Sequence, residues 1–126
     1  MAYDLRLDSD RGLLDLRYHG VVSVAQRLDA WSEAAPMLEA SGVRRILIDL
    51  NDAIAAHEPI ANMRRFVDRL TREPLLLQSR TAFVAPPVHP ANHLIELLAA
   101  AHHYPFARFG DREAAIAWLL GDEPPL

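Results

Sequence analysis

Arg45-Ile46-Leu47-Ile48-Asp49-Leu50 is a short apolar run interrupted by a single acid. A segment of that length with two β-branched residues reads as a central strand buried on both faces. Such a strand needs helices above and below it, so the rest of the chain is best read outward from here. Upstream, Leu14, Leu16 and Tyr18 alternate with Asp15, Arg17 and His19, and Tyr3, Leu5 and Leu7 alternate with Asp4, Arg6 and Asp8. Period-two alternation marks half-buried strands, and Ser9-Asp10-Arg11-Gly12 between them supplies a turn, so the chain opens with a β-hairpin.

A helix lies between the hairpin and the central strand. Ser23-Val24-Ala25-Gln26 has the form of a capping box, in which a hydroxyl and an amide satisfy the orphan N–H groups of a first turn. Val24, Leu28, Trp31, Ala35 and Leu38 form one stripe at helical spacing, and Gly42 is the expected stop. Pro36 falls inside that stripe and predicts a kink near Ser32 rather than a break, because the phase survives to Leu38.

Downstream, Asn51-Asp52 is expected to end the central strand. A second helix is expected to start at Glu58-Pro59, with Pro at its first helical position and Ile60, Met63, Val67 and Leu70 on its apolar face, and to stop at Glu73-Pro74. Thr81-Ala82-Phe83-Val84-Ala85 reads as a strand ended by Pro86-Pro87. His89-Pro90 opens a third helix facing inward through Leu94, Leu98 and Ala101, flanked by Ile95 and Leu97. Pro105 ends that helix, and Phe106-Ala107-Arg108-Phe109 reads as a last strand. Gly110-Asp111 caps a fourth helix with Ile116, Leu119 and Leu120 inward and Trp118 nearby. Leu75-Leu76-Leu77 extends the second helix, wedges into the core or forms a contact patch; the pattern leaves these open. The order predicts an α/β domain over 1–121: a hairpin, then alternating units, giving a mixed, mostly parallel sheet of about five strands with four helices. Residues 122–126 read as a frayed tail.

Composition removes many chemistries. The 126 residues contain no Cys and no Lys, so all 13 basic residues are Arg. That excludes disulfides, thiolate nucleophiles, Cys-ligated metals, Schiff bases and the P-loop lysine. A net charge of −4 argues against non-specific nucleic-acid binding. No apolar run is long enough to span a membrane, and the N-terminus lacks the basic start and apolar run of a signal peptide, so a cytoplasmic location is expected.

The closing segment, Phe106-Ala107-Arg108-Phe109-Gly110-Asp111-Arg112-Glu113-Ala114-Ala115-Ile116-Ala117-Trp118-Leu119, resembles the ending of small SpoIIAA-like (STAS) proteins. The strand ending in Asp49-Leu50 is similar to one that such proteins share. The resemblance covers nearly the whole element order and implies the SpoIIAA-like fold. Its best-known members are antagonists of anti-sigma factors, switched by phosphorylation of a Ser or Thr in the loop after the Asp-Leu strand. The matching stretch here, residues 51–59, holds neither, and none occurs from Gly42 to Leu70. The phosphoswitch therefore does not carry over. Other relatives of this fold bind lipids or small apolar ligands, or act as interaction modules.

Two loops at the carboxyl ends of the parallel strands gather Asn51, Asp52, His57, Glu58, His89, Asn92 and His93 as candidate binding residues. His89 and His93 are four apart, and with Asp52 or His57 they would make a divalent-metal site, though without the H-E-x-x-H glutamate. The plainer reading makes His89 a helix cap and His93 a solvent-side residue. His57-Glu58 has the makings of a general base, but no nucleophile elbow or dinucleotide fingerprint accompanies it. Four of the six His fall between 89 and 103; His102 and His103 read as favourable partners of a helix C-terminus, with a pH-sensitive patch as the alternative. Arg65, Arg69 and Arg72 share a face of the second helix, with Arg64 beside them. They are placed to dock an acidic partner, or form a solvated face with Arg64–Asp68 as an i,i+4 pair. The sequence thus reads as a non-enzymatic STAS-like binding module, regulatory through protein–protein contact. A carrier of a small apolar molecule or lipid is the alternative, and a His-ligated metal hydrolase the second alternative. No cofactor is implied, and homodimerisation through a sheet edge or the Leu75 to Leu77 run is open.

Overall fold

The computed structural model describes residues 3–121; the expected frayed tail lies outside the described residues. Five strands form one sheet: β1 (Tyr3–Asp8), β2 (Leu13–Val22), β3 (Arg45–Ala55), β4 (Arg80–Val84) and β5 (Phe106–Phe109). They lie in chain order, β1-β2-β3-β4-β5. β1 and β2 pair antiparallel as a hairpin, with Leu5 opposite Leu16 and Leu7 opposite Leu14. All later pairs are parallel.

Five helices connect and cover the strands, one more than the sequence predicts: α1 (Val24–Ser41), α2 (Ile60–Leu70), α3 (Pro74–Leu77), α4 (His93–Ala101) and α5 (Arg112–Leu120). The extra one is α3. Pro74 starts it afresh after α2 has ended at Leu70, and it turns Leu76 into the core while Leu77 stays exposed. α1 begins with the capping box, Ser23 and Gln26 exchanging side-chain and backbone bonds, and ends on Gly42 in the left-handed region at φ 75°. It runs through Pro36 as one helix. α5 is capped by Asp111, whose carboxylate accepts from the Ala114 N–H at 2.8 Å.

Several local expectations need correcting. β3 does not end at Asn51-Asp52 but continues to Ala55. Its pairing with β2 slips between Arg17 and His19, so Leu50 and Asn51 together oppose Tyr18. Such a bulge orphans a backbone N–H. Here the Asp49 carboxylate accepts from Asn51 N–H at 3.0 Å, which lets the strand resume. Pro59 caps α2 rather than starting it, and Phe66 joins Val67 in the core while Ile60 is exposed. α4 starts at His93, after a turn over residues 88–92, and buries Ile95 and Ala99 instead of Leu94 and Ala101. Leu120 is exposed, and Ala115 with Leu119 forms the buried face of α5. In α1 the fully inward residues are Arg27, Ala30, Ala34 and Leu38. The stripe of larger residues is shifted sideways because two alanines let the helix lie close against the sheet.

The sheet order explains the layers. Each parallel crossover moves one strand in the same direction, so a constant crossover hand puts every connecting helix on one face. One core accordingly joins Leu16, Leu50 and Phe83 of the sheet to Ala30 of α1, Phe66 of α2 and Ile95 of α4. α5 follows the last strand and covers the other face, over Leu13, Leu47, Ala82 and Val84.

The turn before α4 carries one unfavourable conformation. Val88 has φ 57° and is largely exposed, and a β-branched residue has no comfortable place in the left-handed region. Val88→Gly is expected to stabilise the protein by about 1 kcal/mol in urea melts, since the left-handed penalty falls away and little packing is lost.

Candidate functional site

A cavity of about 90 Å³ lies between the sheet and the helices on its first face. Leu14, Leu16, Ile46, Ile48 and Phe83 form its floor, and α1, α2 and α4 form its roof. It exists because the roof contributes Ala30, Ala34 and Ala99, side chains too short to fill the space above the floor. Walls of this kind with a few convergent polar groups are the usual form of a small-molecule site.

The polar groups are few. Thr81 and Tyr104 hydroxyls bond each other at 2.8 Å. Thr71 Oγ1 donates to the backbone of its own helix, with Val67 O at 2.8 Å. The others are the Tyr18 hydroxyl, the Trp31 indole N–H and Arg27, which is only 6% exposed. Its Nη2 donates to Ala91 O at 2.6 Å and to Asn92 Oδ1 at 3.1 Å. Its guanidinium carbon stands 5.5 Å from the centre of the Tyr18 ring. Burial pulls the Arg27 pKa down, while Tyr18 and Glu58 act the other way. No carboxylate makes an ion pair with it among the described residues. Burial pushes the Tyr18 hydroxyl up to about 12 against the pull of Arg27's charge, and Tyr104 is raised to about 12 by burial too.

Three of the residues singled out from sequence, Asn92, Glu58 and His89, lie around Arg27. Asn92 is wholly buried; its Oδ1 takes the Arg27 bond and its Nδ2 donates to Glu96 Oε2 at 3.0 Å. Glu96 in turn pairs with Arg108 at 3.2 Å. Asn92 sits at the N-cap of α4 without capping it, because both ends of its amide are already used. Glu58 is held by Val24 N–H at 3.0 Å and Asn62 Nδ2 at 3.3 Å. His89 is buried, its Nδ1 accepting from Ala91 N–H at 3.1 Å, which fixes the turn that presents Ala91 O to Arg27.

The others do not converge. Asn51 and Asp52 are exposed positions on β3, Asp52 paired across to His19, and His57 is exposed in the short connection before α2. His93 is the first residue of α4. Among the described residues no three His, Asp or Glu side chains gather in a way that would hold a metal ion. The expected crevice at the strand ends depends on a reversal of strand order, and this sheet never reverses. Arg65 and Arg69 are exposed on α2, whereas Arg72, also exposed, lies past the helix end at Leu70 and not on its face as expected. Asp68 pairs with Arg72 at 3.2 Å, not with Arg64.

On the opposite face a second polar cluster was not legible. Asp15 and Asp49 are buried against Arg112 of α5, at 2.6 and 2.9 Å. Burial lowers the Arg112 pKa, and the hydrogen bonds to Asp15 and Asp49 reverse that to a net rise. α5 contacts β3, β4 and β5, and this cluster covers the sheet beside it.

No protein-family model matches the chain, and no curated protein does. A solved structure from Shewanella loihica PV-4 is similar: an uncharacterized protein of the DUF3478 family with a SpoIIAA-like fold. It is 15% identical, with 94% of this chain and 92% of that one covered and a TM-score of 0.55. The fold is SpoIIAA-like. At that identity the SpoIIAA-like neighbour speaks to architecture alone. The cavity and its arginine are read from this chain's own residues.

Two outcomes test the polar groups. Arg112→Ala should cost about 3 kcal/mol in chemical unfolding, since it strands Asp49 and leaves Asp15 only its longer contacts with Arg6 and Arg17. Stability should also fall between about pH 10 and pH 12. Unfolded Tyr18 and Tyr104 lose their protons from pH 10 upward, whereas the folded protein keeps them until about 12. Each contributes roughly 3 kcal/mol to the loss, and Tyr18→Phe or Tyr104→Phe should shrink it in alkaline melts.

Proposed function

We propose that this chain is a non-enzymatic binding module whose ligand is a small apolar molecule held between the sheet and α1, α2 and α4. The supporting observation is the cavity itself. It is apolar on nearly every wall and sits under three helices that share one face of the sheet. Folded cores close-pack to near-crystalline density, so a space of about 90 Å³ roofed by alanines is a feature to be used. The reading favours carriage over chemistry because no nucleophile with an adjacent base lines the space. Filling the cavity tests this directly. Ala34→Leu should keep or raise thermal stability, yet abolish the fluorescence change that small apolar probes induce at Trp31, which also lines the space. Unchanged probe binding in a folded Ala34→Leu protein would overturn the reading.

Docking of a protein through α2 is a second reading, and one observation favours it. Arg64 and Arg69 are exposed and take no hydrogen-bond or ion-pair partner among the described residues, so they are available to an acidic surface. Arg65→Glu combined with Arg69→Glu is expected to remove acidic proteins from the set captured by the immobilised chain. An identical captured set would remove α2 as the docking face.

A further inference from the structure

Arg27 is a cation in the wrong place for a plain apolar carrier. A buried charge without a counter-ion is costly, and interiors normally pair it or neutralise it. Arg27 is 6% exposed, lines the cavity, and has no carboxylate within ion-pairing distance among the described residues. The acid that acts on it electrostatically is Glu58. Glu58 is held elsewhere, by Val24 N–H and Asn62 Nδ2.

The guanidinium is also only half used. Both of its hydrogen bonds leave from Nη2, to Ala91 O and Asn92 Oδ1. Nη1 and Nε donate to no protein acceptor among the described residues. The Tyr18 hydroxyl, on a ring that lines the same cavity and lies under the guanidinium, takes no hydrogen-bond partner among them either. The other polar groups on the wall are occupied: Thr81 with Tyr104, and Thr71 with its own helix backbone. Besides the lone indole N–H of Trp31, the uncommitted donors belong to one residue pair, Arg27 and Tyr18, the only one that includes a cation.

From this geometry we infer that the cavity takes a small apolar monocarboxylate, its two oxygens held by the free edge of Arg27 and the hydroxyl of Tyr18. The inference rests on the carrier reading above and names the class of its ligand. Arginine's planar fork matches a carboxylate with two parallel N–H···O bonds. One cation neutralises one negative charge, so a phosphate dianion would remain uncompensated in this apolar space. A cavity of about 150 Å³ holds benzene, so the volume here suits a hydrocarbon body of about four carbons. Leu16, Ile48, Phe66 and Ile95 would surround that body.

The test compares pentanoate, pentan-1-ol and pentylammonium on the unmodified chain, by NMR titration of the methyl groups of Ile48 and Ile95. Pentanoate is expected to bind at least about tenfold more tightly than pentanol, as charge-assisted hydrogen bonds require, and pentylammonium to be rejected. Arg27→Met, which keeps an unbranched stem and removes the guanidinium, should lower pentanoate to the pentanol level and leave pentanol unchanged. Tyr18→Phe should weaken pentanoate alone, and it decides the matter should Arg27→Met not fold. Equal binding of pentanol and pentanoate would overturn the carboxylate inference while the carrier reading stands. No shift with any of the three would overturn both.

Discussion

The uninterrupted strand order is the constraint on which the rest depends. Five strands follow one another across the sheet in chain order. With crossovers of one hand, α1, α2 and α4 have no choice of face. They crowd together on one side, and α5, which follows the last strand of the sheet, covers the other. The crowded side needs small residues where helices meet the sheet, and it has them in Ala30, Ala34 and Ala99. The space left above Leu16, Ile48 and Phe83 is the consequence.

Arg27 ties that layer together. It belongs to α1, yet its bonds go to the turn before α4, at Ala91 O and Asn92 Oδ1. Asn92 passes the connection to Glu96, and Glu96 to Arg108 on β5. One polar chain thus runs from the first crossover helix to the last strand, alongside the apolar cavity. A polar network this deeply buried is worth keeping only when its members are satisfied. Asn92 is, with both ends of its amide bonded; Arg27 is only partly so, which is why the ligand question turns on it.

Polar residues on the sheet's second face behave differently. Arg112 bridges the Asp15 and Asp49 carboxylates, and Arg6 and Arg17 stand 3.9 and 3.7 Å from Asp15. The role of the cluster is structural: it ties the start of α5 to β2 and β3. The two buried polar clusters therefore differ in kind: this one leaves an acceptor unpaired among the described residues, Asp15 Oδ1, whereas the other has donors to spare.

Local chemistry settled much in advance. Alternation from Tyr3 to Tyr18, the Ser23–Gln26 box, the Gly42 stop and the Asp111 cap act through neighbours in the chain, so the hairpin, the start and end of α1 and the start of α5 were legible from sequence. Within the candidate site, Glu58, His89 and Asn92 were picked out, though as parts of a strand-end crevice. What only the tertiary structure decided was which face of each helix points inward and which polar residue is buried. Arg27 shares its helical phase with Ala30, Ala34 and Leu38, but an arginine followed by alanines reads as a solvent face until the sheet is seen to lie close beneath it. Burial depends on what other segments bring to the same place, and for Arg27 those segments lie 64 and 65 residues away, beyond the reach of any local pattern.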